Sequence, residues 1–303
     1  MSTFNRIQTL SEMFKLLELP SPKHPLIAIL DYAKTPVTTT VPEQKTICDF
    51  YQISFKGDKG GSLGYGRNSY DYQEGSIIYV GPGQVVTYGV ASSEVTIDKG
   101  WSLFFHPDLI RTFSLGDKIK EYGFFNYTIN EALHVSEKER EVIHSILEKI
   151  ELELESNIDD FSEELIVSNL ELLLNYSKRF YNRQFITRKR FSGDIIIRFQ
   201  HLLDQYFADD LQKELGVPTV QYFADKCDYS ANYLSDLIRK GTDKSILEHV
   251  HSKLIDLAKN KLLNSNLSVS EIAHVLGFEY PQYFSRLFKK KTGMTPTEYR
   301  KVS

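Results

Sequence analysis

The sequence predicts an α+β protein: a β-rich first part, two helices, and an all-helical last part holding two helix-turn-helix units. Three observations carry this expectation. Between about residues 26 and 105, short apolar runs alternate with Gly, Pro, Asn and Asp turn signals, and no helical period intervenes. From residue 136 onward the apolar spacing switches to the 3.6-residue period of helices. Within the last hundred residues the chain repeats itself at an offset of 50 positions. A length of 303 residues accommodates roughly two to three domains.

Residues 2–19 predict a helix, with Phe4, Ile7, Met13, Phe14, Leu16 and Leu17 on a broad apolar side and Pro20 and Pro22 as stops. Strands are expected at 26–30, 47–55, 76–80, 84–88 and 101–105. Many short strands without helices between them imply a β-sandwich or a small barrel. The stretch 60–66 is rich in glycine, but it neither opens a helical pattern nor carries the Lys-Ser/Thr ending of a phosphate loop, so a hairpin or flexible loop is the simpler reading. About half of the aromatic side chains in this region face inward by strand alternation. Phe50, Tyr51, Tyr79, Tyr88 and Trp101 either fill the interior or line a cavity for a small-molecule effector.

Ser136 and Glu139 form a capping box that opens a helix with Val142, Ile143, Ile146, Leu147, Ile150 and Leu154 on one side. A second helix, 162–181, is apolar around more than one stripe. It must bury both sides, either deep in its own domain or in a self-association surface. A homodimer held through 136–182 is the expectation. Residues 183–193 are basic and end in Gly193, which marks a linker between domains at 1–182 and 194–303. Past it, Ile195, Ile196, Phe199, Leu202, Leu203, Tyr206 and Phe207 trace a helical stripe.

Charge separates along the same boundary. Residues 183–303 carry 19 Lys and Arg against 14 Asp and Glu, a net of +5, whereas residues 1–182 carry 17 against 26, a net of −9. A basic end on an acidic chain is what contact with a polyanion through one domain requires.

In the repeat, Tyr233-Leu-Ser-Asp-Leu-Ile-Arg-Lys240 aligns with Tyr283-Phe-Ser-Arg-Leu-Phe-Lys-Lys290, and Phe223-Ala224 with Ile272-Ala273. In the second copy Ser268 and Glu271 cap a helix whose Ile272, Ala273 and Leu276 point inward, and Gly277 supplies a turn with positive φ. Pro281 then begins a helix with Phe284, Leu287 and Phe288 inward and Gln282, Ser285, Arg286 and Lys289 outward. An outward polar face suits the major groove, where Arg pairs with guanine and Gln with adenine. Between the copies, Ser245 and Glu248 cap a helix running to about Leu263; its length of roughly 28 Å compares with the ~34 Å between successive major grooves on one side of B-DNA.

Gly277-Phe278, Tyr283-Phe284, Phe288-Lys289, Gly293-Met-Thr-Pro296 and Tyr299-Arg300 together resemble the carboxyl-terminal signature of the AraC/XylS-type transcription regulators. The resemblance is specific over 268–300 and extends across 194–303. It implies two helix-turn-helix units in consecutive grooves of double-stranded DNA, a cupin-like barrel over about 20–130, dimerisation helices over 136–182, and a transcription activator that works with RNA polymerase. The base-reading candidates are Gln282, Ser285 and Arg286, with Asn232 and Ser235 from the first copy; Lys289, Lys290, Lys291, Arg239 and Arg300 are the phosphate candidates. The first copy departs from the family pattern: Asp228 stands at the place of Gly277 in a turn one residue shorter, Asp236 at that of Arg286, and Gly241-Thr-Asp243 at the helix end. An Asp facing DNA accepts a bond from cytosine but is repelled by phosphate, so the first unit is expected mainly to position the domain.

The alternative weighed against a regulator is a cupin-type metalloenzyme with an accessory nucleic-acid-binding domain. Metal ligation there needs clustered His and carboxylates, and residues 1–182 offer only His24, His106, His134 and His144, none in an HxH pair. No enzyme activity, metal or cofactor is expected. Cys48 and Cys227 are too far apart for a CxxC pair and read as buried free thiols. With no run near the ~20 apolar residues of a membrane span and no signal-peptide pattern at the start, a cytoplasmic protein is expected.

Overall fold

The computed structural model describes residues 5–302 apart from 40–43, 57–62, 66–67, 71–74, 89–94, 98, 129–130, 157–160 and 188. The chain divides into two units, Met1–Gln184 and Phe185–Ser303.

The first unit opens with β1 (Asn5–Ile7) and α1 (Leu10–Leu16). The single helix expected over 2–19 is thus corrected. Thr9 and Glu12 form a capping box that starts the helix only at Leu10, and the residues before it pair in parallel with Thr46–Cys48. Then come β2 (Ile27–Asp31), β3 (Val37–Thr39), β4 (Gln44–Cys48), β5 (Tyr51–Lys56), β6 (Leu63–Tyr65), β7 (Asn68–Tyr70), β8 (Ser76–Val80), β9 (Val85–Tyr88), β10 (Val95–Ile97) and β11 (Gly100–Phe105). The expected strand 47–55 divides at Asp49-Phe50, and its halves lie in different sheets. The glycine-rich stretch supplies β6, which pairs antiparallel with β7 as a hairpin.

The helices α2 (Pro107–Ile110) and α3 (Ser114–Lys118) and two 3-10 turns, Ile119–Glu121 and Gly123–Asn126, lead to β12 (Leu133–His134), α4 (Glu137–Glu155) and α5 (Ser162–Thr187). Ser136 and Glu139 make the expected box at the start of α4.

One sheet has the order β1-β4-β9-β6-β7, another β12-β8-β5-β11-β2, and β10 pairs with β3. The mixed α+β class is observed; among the described residues the sheets stay open, and no ladder closes them into a barrel. Register places Ala28, Leu30, Ser54, Ser102 and Phe104 on one face of the β12–β2 sheet. That face meets Ile7, Met13, Phe14, Cys48 and Phe50 in an apolar core. A row of hydroxyls crosses the same face, with Tyr32 Oη 2.7 Å from Ser102 Oγ, Ser102 Oγ 2.7 Å from Ser54 Oγ, and Gln52 donating to Ser54. On the opposite face Tyr79 donates through its hydroxyl to Ser177 of α5 at 2.7 Å, so the helices cover the sheet from outside. Both faces of β8 and β11 are therefore dry, which is why their sequences run apolar without alternation. Ile166, Val167, Leu170, Leu173 and Leu174 of α5 are buried within this unit, while Leu165 and Leu172 stay 45% and 41% exposed.

The second unit is helical. Over the stretch 183–193, expected as a linker, α5 continues to Thr187 and α6 (Lys189–Ala208) begins beyond residue 188. There follow α7 (Gln212–Leu215), α8 (Val220–Cys227), α9 (Ala231–Thr242), α10 (Ile246–Asn264), α11 (Val269–Val275), α12 (Pro281–Thr292) and α13 (Pro296–Val302). The stripe on α6 buries Phe199, Leu203, Tyr206 and Phe207. Phe199 meets Phe223 edge-on at 5.0 Å and His249 at 5.5 Å, locking α6 to α8 and α10.

Candidate nucleic-acid interface

The internal repeat is longer in three dimensions than in the alignment: each copy comprises three helices, α8-α9-α10 and α11-α12-α13. Thr219 caps α8 through Tyr222 N, and Ser268 caps α11 through Glu271 N. Ala224 and Ala273, both fully buried, occupy the same place on the two first helices. Thr242 Oγ1 donates to Ile238 O and Lys244 O, and Thr292 Oγ1 to Phe288 O and Met294 O. The box of Ser245 with Glu248 recurs as Thr295 with Glu298, each carboxylate accepting from the cap residue's own N–H. Those hydrogen bonds hold the pKa of both glutamates below the ordinary carboxylate value.

The turns show how the copies diverged. Gly277 has φ +87° and Gly293 φ +81°, while Asp228 (φ 62°) and Asp243 (φ 56°) hold the corresponding left-handed positions in the first copy. Asp tolerates that conformation better than most side chains. Gly277 has no such latitude, because a Cβ there would lie 2.8 Å from both Gln212 O and Gly216 C. The α7 segment is pressed against the second turn; Tyr206 Oη donates to Gly216 O at 2.9 Å and fixes it from the other side.

These turns orient α9 and α12, the second helix of each copy. On α12, Phe284 and Phe288 are buried, whereas Gln282, Arg286, Lys289, Lys290 and Lys291 are exposed and Ser285 is half-buried. Pro281 sits in the first turn of the helix. On α9, Asn232 and Arg239 are exposed and Ser235 is half-buried, its hydroxyl donating to Ala231 O at 2.7 Å. The candidates on each helix therefore share a solvent face opposite an apolar one, and α10, 19 residues long, separates the two helices in sequence.

Arg300 departs from expectation. Its Nε donates to Leu262 O at 3.1 Å and its Nη2 to Leu267 O at 2.6 Å. The guanidinium ties α13 to the last turn of α10 through Leu262 O, a carbonyl that a helix C-terminus leaves open, and to the loop beyond it through Leu267 O.

Sequence reasoning also missed three residues beside α12. Tyr280 and Tyr283 stand exposed at its start with rings 5.7 Å apart. Tyr283 is 57% exposed although its repeat partner Tyr233 is only 4% exposed, stacked on Tyr229 and covered by Phe185. The alignment offered no sign of this, because Phe185 lies outside the repeat. His251 of α10 has its pKa lowered by burial and then by Lys291 and Lys290, with Glu248 opposing. The lysines at the end of α12 therefore lie beside α10.

The aromatic candidates of the first unit are not brought together around one cavity. Phe50 is fully buried in the apolar core, Tyr51 stacks on Phe105 at 4.7 Å, and Tyr79 is buried among Phe124, Phe125 and Tyr181. The side chain of Tyr88 lies outside the described residues. Trp101 lines a cleft. The histidines are in use elsewhere: His24 and His106 accept from Leu26 N and Asp108 N, His134 lies on β12 within hydrogen-bond distance of Ser76, and His144 pairs with Glu148. Among the described residues no three His, Cys, Asp or Glu converge on a metal-sized site. Cys48 and Cys227 are buried free thiols, as expected. Among the described residues no helix is long and apolar enough to cross a membrane.

Two left-handed turns, two polar helix faces and a connecting rod define a tandem helix-turn-helix module of the DNA-binding class. Residues 223–302 match the family model of a helix-turn-helix domain. The chain is 32% identical over 137 residues to an uncharacterized HTH-type transcriptional regulator, YijO, of Escherichia coli K12, covering 45% of this chain and 44% of the relative. It is 29% identical over 102 residues to the bifunctional transcriptional activator/DNA repair enzyme AdaA of Bacillus subtilis, covering 34% and 47%. It is 29% identical over 143 residues to the transcriptional activator RhaR of Escherichia coli O1:K1, covering 46% of each. The chain thus spans about half the length of these relatives. Its carboxyl-terminal unit carries a helix-turn-helix domain of the AraC type, the DNA-binding module of that family of transcription regulators.

Proposed function

We propose that the protein is a sequence-specific regulator of transcription, an activator, that places α9 and α12 in successive major grooves of double-stranded DNA. The observation that carries this reading is the equivalence of the helix pairs α8-α9 and α11-α12 on either side of the 19-residue α10. A rod of roughly 28 Å suits the ~34 Å groove repeat. Gln282, Ser285 and Arg286 read bases from α12, Asn232 and Ser235 add contacts from α9, and Lys289, Lys290, Lys291 and Arg239 meet phosphates. The activator role, with RNA polymerase as partner, rests on family resemblance and on RhaR and AdaA being activators.

The first unit, read as the family's cupin-like barrel, senses an effector, and α4 and α5 pair two copies. Leu165 and Leu172 of α5, together with Phe161 before it, form the exposed apolar seam that supports a homodimer. The setting is cytoplasmic. The metalloenzyme reading has no observation in its favour.

Footprinting of the full chain on sequences selected from a random pool tests the proposal: a protected tract spanning two neighbouring grooves is expected, and no protection at low salt refutes it. Sedimentation of a Leu165→Glu, Leu172→Glu double variant tests the dimer; it should run as a monomer where the parent chain runs as a dimer. An unchanged mass moves the self-association surface elsewhere.

A further inference from the structure

The outer face of the first unit's central sheet holds a cleft that none of the roles above uses. Trp101 of β11 and Phe55 of β5, opposite each other in the ladder, stack with ring centroids 6.3 Å apart and 22° between planes. The helix α4 crosses this pair without filling the space beside it. It leaves a cleft of about 490 Å³ bounded by the rings, by Ile29 and Asp31 of β2, and by α4. That volume lies within the ~300–1,000 Å³ range of small-molecule sites. A filled core against α4 would leave nothing there; Ile143, Ile146 and Ile150 are buried elsewhere along the same helix, while Leu147 borders the cleft.

The chemistry of the lining selects the ligand. Arg140 places its guanidinium 5.9 Å from the centroid of the Phe55 ring, so this aromatic surface accepts a cation. Four carboxylates border the cleft: Asp31, Glu141, Glu148 and Glu151. The basic residues facing them are committed. Lys34 Nζ lies 2.9 Å from Glu151 and 3.9 Å from Asp31, and Arg140 Nη2 lies 3.5 Å from Glu137 outside the cleft. His144 sits 3.2 Å from Glu148 on the same side. An anionic ligand would have to displace Glu137 from Arg140 and then face Glu141 and Glu148, which no lysine or arginine bordering the cleft pairs with, whereas Lys34 answers Asp31 and Glu151. A neutral apolar ligand would leave that negative field unanswered.

We infer that this cleft binds a small organic cation with a flat apolar body, an aromatic ammonium or amidinium compound, its ring against Phe55 and Trp101 and its charge toward Glu141 and Glu148. Such a ligand wedges between the sheet and α4, whose position it fixes. For its effect on DNA binding this inference rests on the effector-sensing reading above; for binding alone it does not.

Trp101 is the only tryptophan in the chain, so the intrinsic fluorescence of the full-length protein reports this cleft directly. Phenethylammonium, phenylacetate and 2-phenylethanol, alike in size and differing in charge, are titrated in parallel, with thermal shift as a second readout should stacking leave the indole emission unchanged. Saturable binding of phenethylammonium at least about tenfold tighter than phenylacetate is expected, and a Glu141→Gln, Glu148→Gln double variant should weaken it by about threefold or more. No saturable response to phenethylammonium in either readout, or phenylacetate binding as tightly, overturns the inference. Measuring DNA affinity in the same titrations separates the two ideas. Binding at Trp101 with DNA affinity unchanged keeps the cleft and counts against effector sensing through it. A change in DNA affinity caused by phenylacetate, with no response at Trp101, keeps effector sensing and overturns the cleft.

Discussion

Replacing Gly277 by alanine separates two costs that glycine avoids at this turn. The first is conformational: at φ +87° an L-side chain costs about 1–2 kcal/mol. The second is steric. The new methyl would lie 2.8 Å from Gln212 O and from Gly216 C and 3.0 Å from Gln212 Cβ. Two of these neighbours are backbone atoms, and Tyr206 Oη holds Gly216 in place, so relief requires α7 to move as a body, at about 1–3 kcal/mol by analogy with overpacked cores. The sum is about 2–5 kcal/mol. Gly293→Ala is the internal control: its φ is +81° and nothing lies within 4 Å of the added methyl, so only the conformational cost of about 1–2 kcal/mol remains. Asp228→Gly completes the series. It removes an exposed 3.6 Å pair with Arg198 while relaxing a left-handed residue, and should change stability by less than about 1 kcal/mol. Hydrogen exchange of the full-length chain, followed on amides of α8 to α12, reads each change in the unit concerned. If Gly277→Ala proves no more destabilising than Gly293→Ala, the close approach of α7 to the second turn is refuted.

Other outcomes follow from the interface. Arg286→Ala should cost about 1–3 kcal/mol at the selected DNA site and relax preference at one base position; a fragment selection that returns an unchanged motif removes Arg286 from the reading role. Lys290→Ala and Lys291→Ala should each lower the salt slope of binding by about one while weakening all sequences alike, measured by titration across salt concentrations. Arg300→Ala should lose about 1–3 kcal/mol of stability through the carbonyls of Leu262 and Leu267 and leave that salt slope unchanged; a shallower slope would restore it as a phosphate contact. His249 and His251 both have lowered pKa values through burial and neighbouring lysines. The unfolded chain therefore takes up their protons first as pH falls. Stability of this unit should be full above the ordinary histidine pKa of about 6.5 and decline below it, and a His251→Gln variant should show a flatter profile in melts between pH 5 and 8.

Legibility in the sequence tracked how local the determining interaction is. The caps at Ser136, Ser245 and Ser268, the turn at Gly277 and the start of α12 at Pro281 are contacts within a few residues, and the structure has each where the sequence placed it. Strands β3, β7, β10 and β12, of two or three residues each, escaped notice because such short runs carry no readable alternation. The break at Asp49-Phe50 was hidden for the opposite reason: both halves are apolar, and only membership of different sheets parts them. Among site residues, exposure on α12 followed from helical spacing alone. The roles of Arg300 and Tyr283 did not, since one is fixed by carbonyls 33 and 38 positions away, and the other by what fails to cover it.

The clasp of α7 on the second turn has a bearing on the architecture of any operator. Because α6 grips the first copy and α7 the second, the offset between the copies is braced at two places and not by α10 alone. On the two-groove reading proposed above, a bracket so stiffened tolerates no error of phase. Inserting about five base pairs between the subsites, close to half a turn of the duplex, would swing one subsite to the far side of the DNA, and the protein would have to release one groove to keep the other.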